Sequence, residues 1–482
     1  SKIVEIDREI FLLLCSFENA MGKRSFKHLW KKRDDVYFHS CIVQAEATDV
    51  KISFIVGLIC FCYTSGMVLT VVGTGFVGVV SSAIFATLGH EVYGLDVDAS
   101  KIEKLKKGEI PFFEPGLKEI VLKEVGEGRL RFTTDYATAI PVSEIVIVAV
   151  GTPSRKDGSA NMDYVFDVAK QIGPLIKDKT VVAIKSTVPP GTHEQVKKII
   201  SEKTSVRFAV AALPEFLREG SAVDDTIHAS RIVIGATDEW AIDKLKDIHS
   251  KLEGKKVIVS PESAVMGKYA ANAYLANRIA FINQIADICE HNESKISEVI
   301  EIIGLDERIG MHYWYPGLGY GGSCFPKDVK ELSRLANSYG LNPHLTSFID
   351  SLNDGRIVKK LKEFEEFIGG FEGKRIAVLG LSFKPNTNDL RDAPSVTVIP
   401  YLIKAGAEVI GFDPKVTKDD IDFAQFVLVD NVDEALREAD AIILLTEWEE
   451  LSNIEPLYMA DLAKDGVFLF DTRNQYNRID AL

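Results

Sequence analysis

The run Val68-Leu-Thr-Val-Val72, followed at once by Gly73-Thr-Gly-Phe-Val-Gly78, restricts what this chain can fold into more than any other stretch. A short β-branched segment, glycines at that spacing and a small-residue stretch over 79–88 read as strand, tight turn and helix. A second strand, Glu91-Val-Tyr-Gly-Leu95, follows and ends on Asp96. Gly73 permits the turn, Gly75 lets backbone approach a pyrophosphate, and Gly78 allows helix and strand to pack closely. The helix N-terminus offers unpaired N–H groups and about half a positive charge to phosphates. Asp96 is placed to accept hydrogen bonds from a ribose diol and would repel a 2′-phosphate, so NAD is favoured over NADP. Lys101 adds a further contact near the adenosine. A glycine turn that merely packs a helix is the plain alternative, and the ordered strand, helix, strand and acid argue against it.

The same rhythm continues. Strands are expected over 145–150, 181–184 and 207–211, with helical segments between them. Gly151-Thr152-Pro153 and Ser186-Thr187-Val188-Pro189 close two of these strands. Ligands of open parallel sheets sit at strand carboxyl ends, so Thr152 and Thr187 are candidates to line the cleft; ordinary turn chemistry before proline accounts for them equally well. A second unit of this kind occupies 375–380, 408–412, 441–445 and 467–470, without the glycine fingerprint. Between the two, 261–291 reads as one long helix with small apolar residues on several faces, which suits a buried spine and dimer interface. The expected fold is therefore α/β: two Rossmann-like doubly wound parallel-sheet domains joined by a long central helix. The division is 67–260 for NAD, 261–368 for a central helical dimerisation domain, and 369–482 for a C-terminal domain on the second sheet.

Residues 1–66 read differently. They hold four of the six cysteines (Cys15, Cys41, Cys60 and Cys62) and lack sustained periodicity, although 9–17 suits a short amphipathic helix. No charge occurs over 52–89, so a hydropathy window flags a membrane span. The flag fails because its second half is the strand before the glycine turn, and the remaining apolar run over 52–63 falls short of the ~20 residues a span needs. Acidic Glu5, Asp7 and Glu9 are wrong for a signal peptide. Three readings stay open: an extension or gene-model artefact upstream of Met67, a genuine appended element, and a membrane anchor.

With 56 basic and 70 acidic residues the net charge is −14, which disfavours a nucleic-acid footprint. Six cysteines in 482 residues are no disulfide scaffold, and nine scattered histidines without CxxC or HExxH give no metal site. The expectation is a cytoplasmic protein without membrane or nucleic-acid partners.

Chemistry concentrates in three runs. In Pro214-Glu-Phe-Leu-Arg-Glu-Gly220, Glu215 and Glu219 are four apart, so a helical turn would put both carboxylates on one side. Lys268 and Asn272, also four apart, interrupt a helix that otherwise looks buried. In Gly319-Tyr-Gly-Gly-Ser-Cys-Phe-Pro-Lys-Asp328, a glycine-rich loop delivers Cys324 to a helix start that Pro326 opens. A thiol there, beside Lys327, should have its pKa lowered from about 8.5 toward neutrality, making a nucleophile; Asp328 reaches back as base or as organiser of a water. Each run has a bland counterpart, respectively a solvated helix face, surface polars and a small buried thiol. Cys289 fits the last; Cys324, ringed by glycines, does not. An NAD site plus a nucleophilic cysteine implies capture of an aldehyde as thiohemiacetal, a second hydride loss to a thioester, and hydrolysis. Lys268 and Asn272 would stabilise the oxyanion, at ~3 kcal/mol per donor, and one carboxylate would steer the water.

The runs GTGFVG, GTPS, STVPPGT, PEFLREG, GKYAANAYLANRIAFINQ, GLGYGGSCFPKD and SFKPNTNDLRDAPS, in this order over 67–474, resemble the nucleotide-sugar dehydrogenase family. Members oxidise a sugar C6 alcohol to a carboxylate in two NAD-dependent steps, and are commonly dimers through the central helix. The resemblance makes Cys324 the covalent nucleophile, supported by Lys268, Asn272 and Asp328, with Glu215 serving hydrolysis and Thr187 nearby. It places Val77, Asp96, Lys101, Thr152, Thr187, Glu219, Lys327 and Arg391, beside the three glycines, on the cofactor. It places Glu215, Phe216, Leu217, Arg218 and Glu219 on the nucleotide sugar. With them go Lys268, Asn272, Tyr313, Trp314, Tyr315, Pro316, Gly317, Gly321 and Lys384. The PEFLREG run favours UDP-glucose as substrate, then GDP-mannose or a UDP-N-acetylhexosamine. Leu213 stands where an Asn is usual, 1–66 has no counterpart, and relatives usually continue past the end of this chain.

Two rivals remain. A 3-hydroxyacid or 6-phosphogluconate type dehydrogenase needs one hydride transfer and leaves the Cys324 loop unexplained. A non-catalytic NAD-sensing protein would be indifferent to Cys324.

Overall fold

The computed structural model describes residues 25–33, 36–47, 50–58 and 66–476. Within 1–66, β1 (Ser25–Arg33), β2 (Val36–Ala47) and β3 (Val50–Leu58) form an antiparallel meander, with Ser25 opposite Gln44 and Ala47 opposite Val50. These strands were not expected. β3 takes up the first part of the apolar run, and the helix expected over 9–17 lies outside the described residues. Among the described residues no helix is long and apolar enough to cross a membrane.

The described residues from Met67 onward form one compact unit built on two sheets. The first contains β4 (Val68–Val72), β5 (Glu91–Leu95), β6 (Leu130–Thr133), β7 (Ile145–Val148), β8 (Thr180–Ile184), β9 (Phe208–Ala212), β10 (Arg231–Gly235) and β11 (Lys255–Val259). Its order is β11-β10-β9-β8-β7-β4-β5-β6. Six strands, β6-β5-β4-β7-β8-β9, are parallel in the doubly wound order that reverses between β4 and β7. Continuous apolar runs such as Ile145-Val-Ile-Val148, buried throughout, are what a sheet covered on both faces demands. β6, β10 and β11 were not foreseen. β10 joins β9 antiparallel through Gly235 and Ala212 alone.

The second sheet, ordered β14-β13-β12-β15-β16, is wholly parallel. Its strands are β12 (Arg375–Leu379), β13 (Glu408–Phe412), β14 (Val427–Leu428), β15 (Ala441–Leu444) and β16 (Phe468–Asp471). Of these only β14 escaped the sequence reading.

The sheets are linked by α1 (Pro261–Cys289), α2 (Phe325–Ser338) and α3 (His344–Ile368). Pro261 opens α1 behind the Ser260 side chain, which accepts from the Ser263 N–H. Both features are standard helix-start devices. One face of α1 buries Lys268, Tyr269, Asn272, Ala276 and Asn283, whereas Tyr274, Phe281 and Ile288, seven apart, stay exposed.

Candidate active site

The turn after β4 has the shape its glycines suggest. Gly73 sits at φ +100°, and its N–H donates to Leu95 O at 2.7 Å. A Cβ on Gly78 would lie 1.8 Å from Gly73 O, so any side chain there would force the helix Phe76–Thr87 away from the turn. A Cβ on Gly75 would meet nothing within 4 Å. That open space lies in front of a helix start with no side-chain cap, which is the cradle a pyrophosphate requires. Val77 packs against the core beneath.

Asp96 is fixed by a residue the sequence reading passed over. The Thr74 N–H and hydroxyl both donate to Asp96 Oδ2 at 2.8 Å, and Asp98 N donates to Oδ1 at 3.1 Å. Lys101 Nζ stands 3.5 Å away. Burial pushes this carboxyl up, but the Thr74 and Asp98 bonds and Lys101 together bring it below its ordinary value. The group is thus an anion aimed at the cradle, and these residues fit NAD. Thr74 lies inside the fingerprint, so its place between two glycines was the available signal.

Thr152 and Thr187 are neighbours, the Thr152 hydroxyl donating to Thr187 O at 2.9 Å. Ser186 ties the same two loops together through Val150 O at 2.6 Å.

Around Cys324 the structure gathers a buried charged cluster. Lys268 Nζ is 3.0 Å from Glu215 Oε1, both side chains being almost fully buried, and the Leu217 N–H donates to Glu215 Oε2 at 2.5 Å. Asn272 Nδ2 donates to Asp328 Oδ2 at 2.6 Å, and Lys327 Nζ to Asp328 Oδ1 at 2.5 Å. Burial pushes Glu215 up, but Lys268, the Leu217 N–H and Lys185 bring it below its ordinary value. Lys268 is raised, its burial outweighed by Glu215, Cys324 and Asp328.

Two expectations about this cluster need correction. The Cys324 thiol is raised, not lowered: burial comes first and Glu215 adds to it, while Lys268 pulls the other way. The nearby cation expected to lower it, Lys327, is engaged by Asp328. Second, 213–218 is irregular backbone rather than a helical turn, so Glu215 and Glu219 diverge. Glu219 Oε1 faces Arg391 and the Ser323 hydroxyl, each at 3.3 Å, and Ser323 Oγ is 3.6 Å from Cys324 Sγ. Burial and the neighbouring Asp389 push Glu219 up to about 8 against Arg391 and Lys384.

The remaining candidates are more dispersed. The Phe216 ring lies under the Arg231 guanidinium at 3.8 Å, with Lys268 Nζ at 5.4 Å. Arg218 is clamped by Asp225, at 2.6 and 3.0 Å. Tyr313, at φ +67°, packs on Tyr315 and Phe325. Trp314 turns inward, its indole donating to Gly310 O at 2.8 Å beneath Arg278, so it braces the loop from behind. After Pro316, Gly317 N donates to Asn283 Oδ1 at 2.8 Å, and a Cβ there would lie 2.5 Å from Thr472 O. A Cβ on Gly321 would lie 2.1 Å from Asp392 O. These glycines let the cysteine loop touch the second sheet's loops. Lys384 is mostly buried, and burial lowers its pKa while Glu219 opposes. Leu213, 1% exposed, belongs to the first sheet's core.

An uncapped helix over an open glycine cradle and a half-buried cysteine beside a buried lysine–carboxylate pair define an NAD-dependent dehydrogenase. The chain belongs to the UDP-glucose/GDP-mannose dehydrogenase family. That family's NAD binding domain matches residues 67–253, its central domain 262–355 and its UDP binding domain 377–478. The UDP-glucose 6-dehydrogenase YwqF of Bacillus subtilis is 39% identical over 424 residues, covering 86% of this chain and 95% of its own. The UDP-glucose 6-dehydrogenase of Rhizobium meliloti is 41% identical over 426 residues, covering 86% and 96%. A solved UDP-glucose dehydrogenase from Pyrobaculum islandicum superposes with a TM-score of 0.80 at 36% identity, covering 85% of this chain and 99% of that one.

Proposed function

We propose that this enzyme oxidises the C6 alcohol of UDP-glucose to the carboxylate, in two steps, through a covalent intermediate on Cys324. The observation that carries the reading is the buried Lys268–Glu215 pair at 3.0 Å, set against Cys324 with Asn272 and Asp328 beside it. Bound NAD, held by the loop after β4 together with Asp96 and Lys101, supplies the acceptor for a hydride in each step. Residues 67–260 hold that cofactor, 261–368 carry the nucleophile, and 369–482, with Lys384, complete the nucleotide-sugar site.

At the aldehyde stage Cys324 Sγ forms a bond to C6, and the thiol proton ends on the former carbonyl oxygen. A raised thiol pKa suits this, because the proton is still present to be passed on. The Lys268 ammonium and the second amide N–H of Asn272 stabilise that oxygen while its charge builds. After the second oxidation the group on sulfur is a thioester. Glu215 accepts a proton from water as the water oxygen bonds to C6; the C6–S bond then breaks and the sulfur is restored. Overall an alcohol and a water give a carboxylate, with two hydrides passed on and three protons released.

The exposed Tyr274, Phe281 and Ile288 stripe on α1 is the surface through which two copies would pair, since large apolar side chains at heptad spacing favour a helix–helix contact. Counting NADH tests the reaction. Two equivalents per UDP-glucose are expected, and none of the acid from Cys324→Ser. One equivalent, or acid at the wild-type rate from that variant, overturns the reading. GDP-mannose and UDP-N-acetylhexosamines assayed alongside test the substrate.

A further inference from the structure

Lys185 is a half-buried cation that this mechanism leaves without a role. It directly follows β8, and β9 beside it runs on into Leu213, Pro214 and Glu215. Lys185 and Glu215 line one cavity of about 50 Å³, bounded on other sides by Ser81, Leu213 and His249. Among the described residues no hydrogen bond or ion pair holds the Lys185 ammonium. Glu215 has Lys268 on one oxygen and the Leu217 N–H on the other. A polar cavity of this size has room for water, so the Lys185 ammonium and the Glu215 carboxylate border the same solvent space.

We propose that Lys185 is a positioning residue for Glu215, giving it across this shared cavity a second positive charge besides that of Lys268. The inference rests on the reading above. There Lys268 turns part of its charge to the oxygen on the sulfur-bound carbon, which loosens its hold on Glu215. A carboxylate buried this deeply would then take up a proton and cease to act as a base. A second cation across the cavity keeps it ionised.

The other charged groups around the cavity do not serve. His249, at the end of the helix Glu239–Ile248, is held by burial at about 4 and donates its Nδ1–H to Leu245 O, so it is neutral at working pH. Asp225 is taken by Arg218, and Arg231 lies over Phe216. Burial lowers Lys185 itself to about 8 with Lys268 adding and Glu215 opposing, so it is still charged at neutral pH.

The test follows decay of the acyl-enzyme on Cys324 by rapid quench and intact mass, with UDP-glucose and NAD, between pH 5 and 9. In Lys185→Met or Lys185→Gln, whichever folds, the acid limb of the decay rate should move up by about one pH unit or more. On the acid limb, below both midpoints, that shift is about a tenfold fall in rate, and above pH 7 the rates should agree. Lys185→Arg, which keeps the charge, should hold the wild-type limb. A neutral variant whose profile superimposes on wild type overturns the proposal, as does an arginine variant shifted equally far. Absence of any acyl-enzyme in the wild-type protein would instead sink the underlying reading, so the two failures are distinct.

Discussion

Asp413 stands in the second sheet where Asp96 stands in the first. Each follows the second strand of its sheet and accepts hydrogen bonds from the turn after the first strand: Asp96 from Thr74, Asp413 from the N–H groups of Leu381 and Ser382 at 2.7 and 3.1 Å. The glycines opening the two turns match as well, Gly73 N donating to Leu95 O and Gly380 N to Phe412 O. The difference is Trp448. Its indole N–H donates to Asp413 Oδ2 at 3.1 Å, and the ring is 1% exposed. The second turn is therefore closed by protein at the point where the first is open to a ribose.

From this pair come opposite phenotypes. Asp413→Asn should cost about 1–3 kcal/mol, because buried N–H groups lose their acceptor, and leave NAD affinity unchanged. Asp96→Asn should weaken NAD by about tenfold, roughly 1.4 kcal/mol, and relax discrimination against NADP. Thermal melts and fluorescence titration of both dinucleotides check the pair.

Gly75 and Gly78 should likewise separate. Gly75→Ala, with open space around its Cβ, is expected to keep the wild-type melting temperature while raising the Kd for NAD. Gly78→Ala drives a methyl into Gly73 O and should lose about 1–3 kcal/mol or more of stability. Equal melting temperatures for the two variants would contradict the geometry.

Removing Asn272 tests the cluster around the thiol. Asp328 is fully buried and has Asn272 and Lys327 as side-chain partners. Asn272→Leu should destabilise by about 3 kcal/mol, in the range for stripping one partner from a buried charge, measured by urea unfolding. Asn272→Asp should be worse, because it sets two carboxylates together.

Stability should also fall on mild acidification, and His249 gives the sign. Its folded value, about 4, lies below the ordinary 6.5 because the ring is buried. Between these values the unfolded chain binds a proton that the folded one refuses. The contribution is thus complete above pH 6.5 and is lost as pH falls toward 4, amounting to about 3 kcal/mol. Melting curves across that window should flatten in His249→Phe.

What the sequence made legible follows from the range of the interactions concerned. β4, β5 and β13 ended on the residues expected, since buried β-branched runs bounded by glycine or charge are local signals. β10 and β11 were missed because Lys255-Lys-Val-Ile-Val259 shows neither clean alternation nor a long apolar run, and its place depends on β10. The members of the site were readable, their partnerships were not. That Lys327 would turn to Asp328 rather than to the thiol, or that Leu213 would line a cavity with Lys185, depends on packing between segments far apart in the chain. The direction of the thiol's pKa was misjudged for the same reason, burial being a tertiary property.

The contact between Gly317 and Thr472 has a bearing on synthesis of the enzyme. Cys324 and its neighbours leave the ribosome long before β16, yet the loop that presents them rests on Thr472, directly after that strand. A growing polypeptide thus holds both partners of the Lys268–Glu215 and Asn272–Asp328 pairs early, whereas the loop leading to Cys324 gains this support only once Thr472 has been made.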